Sequence, residues 1–208
     1  MKYFILSILL IPFVLFAQKN LNLTKKGINI KSHIPKGLMV GDIAPIINLT
    51  STEGNLTQSA TLLKEKQIVI IFYRGKWCPV CSRYLSNLND SLKYIVENNA
   101  SVLVIGPEKF KNAEKTAALT KAKFILLPDT TFQVLNDFDV MFEVRKGYVN
   151  KIKIFKMTDI AKNNKQDVAK LPVPATFIIG RDGKIKWRHF DYNYSIRASV
   201  REIIDNLK

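Results

Sequence analysis

The apolar run Ile68-Val69-Ile70-Ile71 leads through Phe72-Tyr73-Arg74-Gly75-Lys76-Trp77 into Cys78-Pro79-Val80-Cys81, and these two cysteines are the only ones in the chain. A buried strand that runs into a helix through a Cys-x-x-Cys turn is a strong constraint on the fold. It demands an α/β unit with the first sulfur exposed at the positive helix end. A disulfide across so short a loop removes little entropy from the unfolded chain, so stability is a poor reason for the pair. A reversible dithiol is the better reason.

The rest of the sequence alternates in the same manner. Ile68 to Tyr73 reads as a strand buried on both faces. Tyr84, Leu85, Leu88, Leu92 and Ile95 recur at helical spacing and predict one helix from Pro79 to about Asn98. Ser101 to Ile105 and Phe124 to Leu127 read as further strands, and Phe110 to Leu119 and Phe132 to Phe138 as helices. Ala175 to Ile179 and Lys184 to His189 are joined through Asp182-Gly183, a hairpin signal that makes the last two strands antiparallel. Ser195 to Leu207 then predicts an amphipathic helix with Ser195 as its cap. Gly147 to Leu171 mixes basic and apolar residues without a period, as a helix or a loop bordering the site. The expected architecture is α/β, a central mixed sheet flanked by helices and closed by an antiparallel hairpin and a final helix.

Composition supports one domain: 208 residues with 47% hydrophobic content suffice for a core without disulfide staples. Residues 1–17 have the layout of a secretory signal, with Lys2 before the apolar run Phe4 to Phe16 and cleavage expected at Ala17-Gln18. That run is shorter than the roughly 20 residues that span a bilayer, and no transmembrane segment is expected after cleavage. Residues 18–39 read as an extended arm, and residues 40–208 as the compact domain. Export, to a periplasm or an extracellular space, places the cysteines in an oxidising setting and implies a reducing partner. The residue usage, rich in Asn, Lys and Ile, suggests a bacterial source.

The formal net charge is +15, or +14 without Lys2. Lys19 to Lys36 carries five lysines and no acid, and Arg145 to Lys170 carries eight basic residues against Asp159 and Asp167. Anionic surfaces attract such segments, but no aromatic ladder or compact arginine patch accompanies the charge, so a solvated lysine-rich exterior is the favoured reading. Nucleic acid is not expected as a partner for an exported chain of this kind. Zinc would need four ligands, and His33 and His189 do not stand at ligand spacing to the cysteines.

From about Val40 onward the chain resembles the thioredoxin fold and, within it, the peroxiredoxin-like branch of the alkyl hydroperoxide reductase and thiol-specific antioxidant family. The likeness rests on Gly41-Asp42-Ile43-Ala44-Pro45, on the turn Phe72 to Cys81, on Leu171-Pro172-Val173-Pro174-Ala175-Thr176-Phe177, and on Tyr194 and Arg197 before the last helix. It implies a catalytic pair, Cys78 as nucleophile and Cys81 as resolving thiol. Cys78 as N-cap and Pro79 as first helical residue would aim free N–H groups at the sulfur. The helix end, Arg74 and Lys76 are expected to lower the Cys78 pKa. Trp77 is expected to pack beside the sulfur. Pro174 corresponds to a cis proline that leaves the Val173 backbone free to pair with an extended substrate, and Arg197 to a holder of an anionic or peroxide ligand.

The turn also departs from ordinary peroxiredoxins, whose loop carries a proline and a Thr or Ser hydroxyl before the reacting cysteine; Arg74-Gly75-Lys76-Trp77 has neither. Nor does Ile68 to Tyr73 carry the buried acid usual in disulfide-exchange enzymes. The reading is an exported, antioxidant thiol peroxidase cycling between a Cys78-Cys81 dithiol and disulfide, with an external dithiol such as a thioredoxin-like protein as reductant and no metal or flavin required. A thiol-disulfide oxidoreductase acting on protein disulfides is the alternative, and a noncatalytic exported binding module the third.

Overall fold

The computed structural model describes residue 18 and residues 20–164 and 166–208. The signal expected over residues 1–17 lies outside the described residues. Nine strands are described: β1 Asn48–Thr50, β2 Leu56–Gln58, β3 Gln67–Phe72, β4 Ala100–Gly106, β5 Ile125–Pro128, β6 Met141–Glu143, β7 Lys170–Pro172, β8 Thr176–Ile179 and β9 Ile185–His189. The named helices are α1 Ser59–Leu62, α2 Pro79–Asp90, α3 Leu92–Glu97, α4 Phe110–Thr120, α5 Gln133–Asp137, α6 Lys146–Lys156, α7 Ile160–Asn163 and α8 Val200–Asp205.

The central sheet runs β5-β4-β3-β8-β9. β3 is parallel to β4 and antiparallel to β8, β4 is parallel to β5, and β8 pairs antiparallel with β9, so the sheet is mixed as expected. The unbroken apolar run of β3 follows from burial on both faces. Val69, Ile71 and Tyr73 join Leu85 and Leu88 of α2, Ile95 of α3 and Ile203 of α8. Ile68, Ile70 and Phe72 join Leu135, Phe138 and Phe177 on the opposite face. Phe72, Phe138 and Phe177 pack there with ring centroids 5.3 to 6.0 Å apart, in tilted and edge-on geometry.

Three local expectations are corrected. The single helix from Pro79 to Asn98 is two, α2 and α3, because the polar run Asn89-Asp90-Ser91 favours caps over helix interior. Ser91 sits at φ −107°, ψ 5°, and the Asn89 side chain accepts the Lys123 N–H at 2.8 Å. The last helix begins at Val200 with Ser199 as its cap, since Ser199 and Glu202 form a reciprocal capping box and Ser195 has no acid three residues on. The segment 18–39 is helical over residues 20–25, and Leu23 and Ile28 are buried. Ile28 bridges Val144, with Asn29 N–H donating to Glu143 and Arg145 N–H to Gly27.

This segment builds a third apolar cluster with Phe142, Val144, Ile160, Leu171 and Val173. The region around residues 147–171 resolves into α6, α7 and β7, with β7 antiparallel to β6.

Candidate active site

The site forms where β3 ends beside β4. Gly75 adopts φ +140°, a conformation suited to glycine, and a Cβ there would lie 2.7 Å from Trp77 Nε1 and 3.2 Å from Glu108 Oε1. The loop therefore folds tightly onto Trp77 and delivers Cys78 to the N-cap of α2, with Pro79 at the first helical position. The Cys81 N–H donates to Cys78 Sγ at 3.3 Å, and the two sulfurs lie 2.6 Å apart as free thiols.

Both cysteines are buried, Cys78 at 3% exposure and Cys81 at 1%, so the exposed first sulfur expected from the turn is corrected. Trp77 covers this end of the helix, packing against the α2 side of the sheet and against the third cluster at once.

Two guanidiniums flank the pair. Arg74 is 1% exposed, stacks 4.3 Å from the Tyr194 ring centroid, and donates from Nη1 to Tyr148 Oη at 3.4 Å. Among the described residues its Nε and Nη2 have no partner. Arg197 is fixed by Nε donating to the Tyr194 carbonyl at 2.7 Å and points Nη2 at Cys81 Sγ, 3.2 Å away.

The sulfurs titrate as one unit. Burial disfavours a Cys81 thiolate, but the hydrogen bond from Cys78 and the charges of Arg197 and Arg74 outweigh it and bring Cys81 down to about 6. Cys78 moves up, because its proton is held in the bond to Cys81 and because it is buried. The expectation of a lowered Cys78 pKa is thus corrected: Cys81, the sulfur facing Arg197, is pulled down and Cys78 is pushed up. Lys76 is exposed and contributes its backbone N–H, which donates to Glu108 Oε1 at 2.8 Å.

Glu108 escaped the sequence reading. Only 1% exposed, it also accepts from Tyr73 Oη at 2.9 Å and Thr116 Oγ1 at 2.8 Å. Burial raises its pKa against the pull of these donors, and burial followed by the nearby Glu108 raises Tyr73 well above an ordinary phenol. A buried acid is therefore present, supplied by the loop after β4 instead of by β3. The signal was Gly106-Pro107-Glu108 at the carboxyl end of a strand parallel to the one bearing the cysteine turn, the edge where α/β sheets gather their sites. Glu108, Lys76 and Trp77 line a cleft of about 260 Å³ with Asn112, Thr158 and Asn163.

The Val173-Pro174 segment is also corrected. No cis peptide bond occurs among the described residues, so Pro174 is trans. The Val173 backbone is not free: its N–H donates to the Val140 carbonyl and its carbonyl accepts from Ala175 N–H, both at 2.8 Å. That second bond closes a three-residue turn about Pro174, whose ring presets the φ such a turn requires. The Ala175 carbonyl in turn accepts Phe72 N–H at 2.9 Å, tying the turn to the end of β3.

The sequence model of the AhpC/TSA family matches residues 40–188. Peroxiredoxin Bcp of Bacillus subtilis strain 168 is 22% identical over 171 residues, 81% of this chain and 94% of that protein. Among solved structures, a mutant of PrxQ from Xylella fastidiosa superposes with a TM-score of 0.64 at 18% identity, covering 83% of this chain and 96% of that one. Peroxidoxin BcpB from Mycobacterium tuberculosis gives 0.61 at 19% identity, over 84% and 97% of the two chains. The shared architecture is the thioredoxin-like α/β fold.

Proposed function

The chain belongs to the AhpC/TSA family and is a thiol-based oxidoreductase, and from that premise we propose that it reduces peroxides through a Cys78-Cys81 dithiol/disulfide cycle. The observation that carries this reading is the pair of free thiols, 2.6 Å apart, with Arg197 Nη2 3.2 Å from Cys81 Sγ. The Xanthomonas campestris bacterioferritin comigratory protein, which has alkyl peroxide reduction activity, shares the fold at 17% identity and a TM-score of 0.57.

In this reading Cys78 passes its proton to the Cys81 thiolate as the peroxide enters, leaving Cys78 as thiolate. Cys78 Sγ attacks the terminal peroxide oxygen, the S–O bond forms as the O–O bond breaks, and the departing hydroxide or alkoxide takes up a proton from solvent and leaves as water or an alcohol. Arg74, two of whose nitrogens are unpartnered among the described residues, stabilises charge on that oxygen. Arg197 holds Cys81, which attacks the Cys78 sulfenic acid, releases water and closes the disulfide. An external dithiol, such as a thioredoxin-like protein, restores the pair. Trp77 and Pro79 position the turn.

Disulfide exchange with a protein substrate is less favoured, because the Val173 N–H already donates to Val140 and its carbonyl already accepts from Ala175. The test is to treat the reduced protein with one equivalent of peroxide and determine its mass. Loss of two hydrogens with both cysteines blocked, and a trappable sulfenic acid at Cys78 in Cys81→Ser, are expected. A sulfenic acid at Cys81 in Cys78→Ser, with none at Cys78 in Cys81→Ser, would contradict the assigned roles.

We also propose export, on the layout of residues 1–17. N-terminal sequencing of the protein from its native cells should begin at Gln18; a start at Met1 would contradict cleavage.

A further inference from the structure

Helix α6 has no buried residue. It rests on the third cluster through half-buried Tyr148, Val149 and Ile152. Its C-terminal end is unusual for a solvated surface: Ile154 is 72% exposed, Phe155 73%, and Met157, directly after the helix, 93%. The same helix carries Lys146 at its start and Lys151, Lys153 and Lys156 beside these residues in sequence, all exposed. Among the described residues none of the four takes part in an ion pair. The helix carries no acid, so the patch is apolar at its tip and cationic on its flanks.

We propose that α6 and Met157 form a docking surface for an anionic lipid bilayer. Charge complementarity selects the partner. Lysines on the flanks reach headgroup phosphates while Ile154, Phe155 and Met157 enter the acyl boundary, the division of labour of a helix lying in the membrane interface. Each lysine near an anionic surface strengthens such binding on the order of fivefold. A wholly solvated lysine surface accounts for the charge but not for three large apolar side chains exposed together.

The location ties the surface to the cysteine site. Tyr148, on the inner side of α6, accepts the Arg74 hydrogen bond, and Gly27 beneath it leaves room for the ring: a Cβ there would lie 2.7 Å from Tyr148 Cγ. Thr158, next to Met157, borders the cleft that Trp77 and Glu108 line. A chain docked through α6 therefore brings that cleft beside the lipid surface.

Hydrogen exchange of the full chain on vesicles tests this, because it reads α6 locally whatever residues 1–17 do. Vesicles of phosphatidylcholine with phosphatidylglycerol should slow exchange at residues 150–157 about tenfold or more, and phosphatidylcholine alone should not. The slowing should vanish both in Lys151→Glu/Lys153→Glu/Lys156→Glu and in Phe155→Ser, with the rest of the exchange pattern unchanged. No slowing, equal slowing on neutral vesicles, slowing that survives either set of substitutions, or equal slowing by soluble polyglutamate would overturn the proposal. The last result would assign the face to an acidic protein.

Discussion

Glu108 Oε1 accepts the backbone N–H of Lys76 at 2.8 Å, so a carboxyl from the end of one strand clamps the loop that carries the cysteines from the next. The same group receives Tyr73 Oη and Thr116 Oγ1, which makes it the common anchor of three donors in a buried space. Glu108→Ala leaves the Lys76 and Tyr73 donors unpartnered and should cost ~2–3 kcal/mol in denaturant unfolding. Glu108→Gln keeps one acceptor for Lys76 and should cost less. Equal stability of wild type and Glu108→Ala would show that the clamp contributes nothing.

Burial raises the Glu108 pKa, so the folded state holds this proton more tightly than the unfolded chain does. Its contribution is fully present below the ordinary glutamate pKa and falls as pH rises through the folded value. The unfolding free energy of Glu108→Gln should lack that component, seen as a difference between the two pH profiles on the acid side.

The Cys81 thiolate works in the opposite direction. With Cys81 brought down to about 6, the reduced folded protein binds fewer protons than the unfolded chain between that pH and the ordinary thiol range near 9. Stability of the reduced form should therefore rise with pH across this window. Thiolate absorbance should report a single ionisation near pH 6, and Arg197→Met should move its midpoint upward. An unmoved midpoint would remove Arg197 from the account.

Gly75→Ala meets two obstacles, a φ of +140° and a Cβ position 2.7 Å from Trp77 Nε1. It should destabilise the protein by ~1–3 kcal/mol and displace Trp77, visible as a change in tryptophan fluorescence.

What the sequence made legible was what local rules decide. The doubly buried run of β3, the helix opened by Cys78-Pro79 and the Asp182-Gly183 hairpin each follow from spacing or turn chemistry, and the hairpin closes as expected with Gly180 N–H donating to Lys184 at 2.9 Å. What escaped depends on residues distant in the chain. Glu108 gains meaning only because β4 lies beside β3, and the Val173 backbone is occupied only because β7 folds against β6 and reaches Val140. The burial of Cys78 likewise follows from packing around Trp77, and the guanidinium that faces Cys81 comes from Arg197, 116 residues further on.

The most direct test of the account is the rate at which hydrogen peroxide oxidises the reduced protein, measured beside Cys78→Ser and a simple thiol. The account predicts oxidation orders of magnitude faster than the simple thiol, abolished by Cys78→Ser and ending in an intramolecular disulfide. A rate equal to that of the simple thiol, or one unchanged in Cys78→Ser, would contradict it.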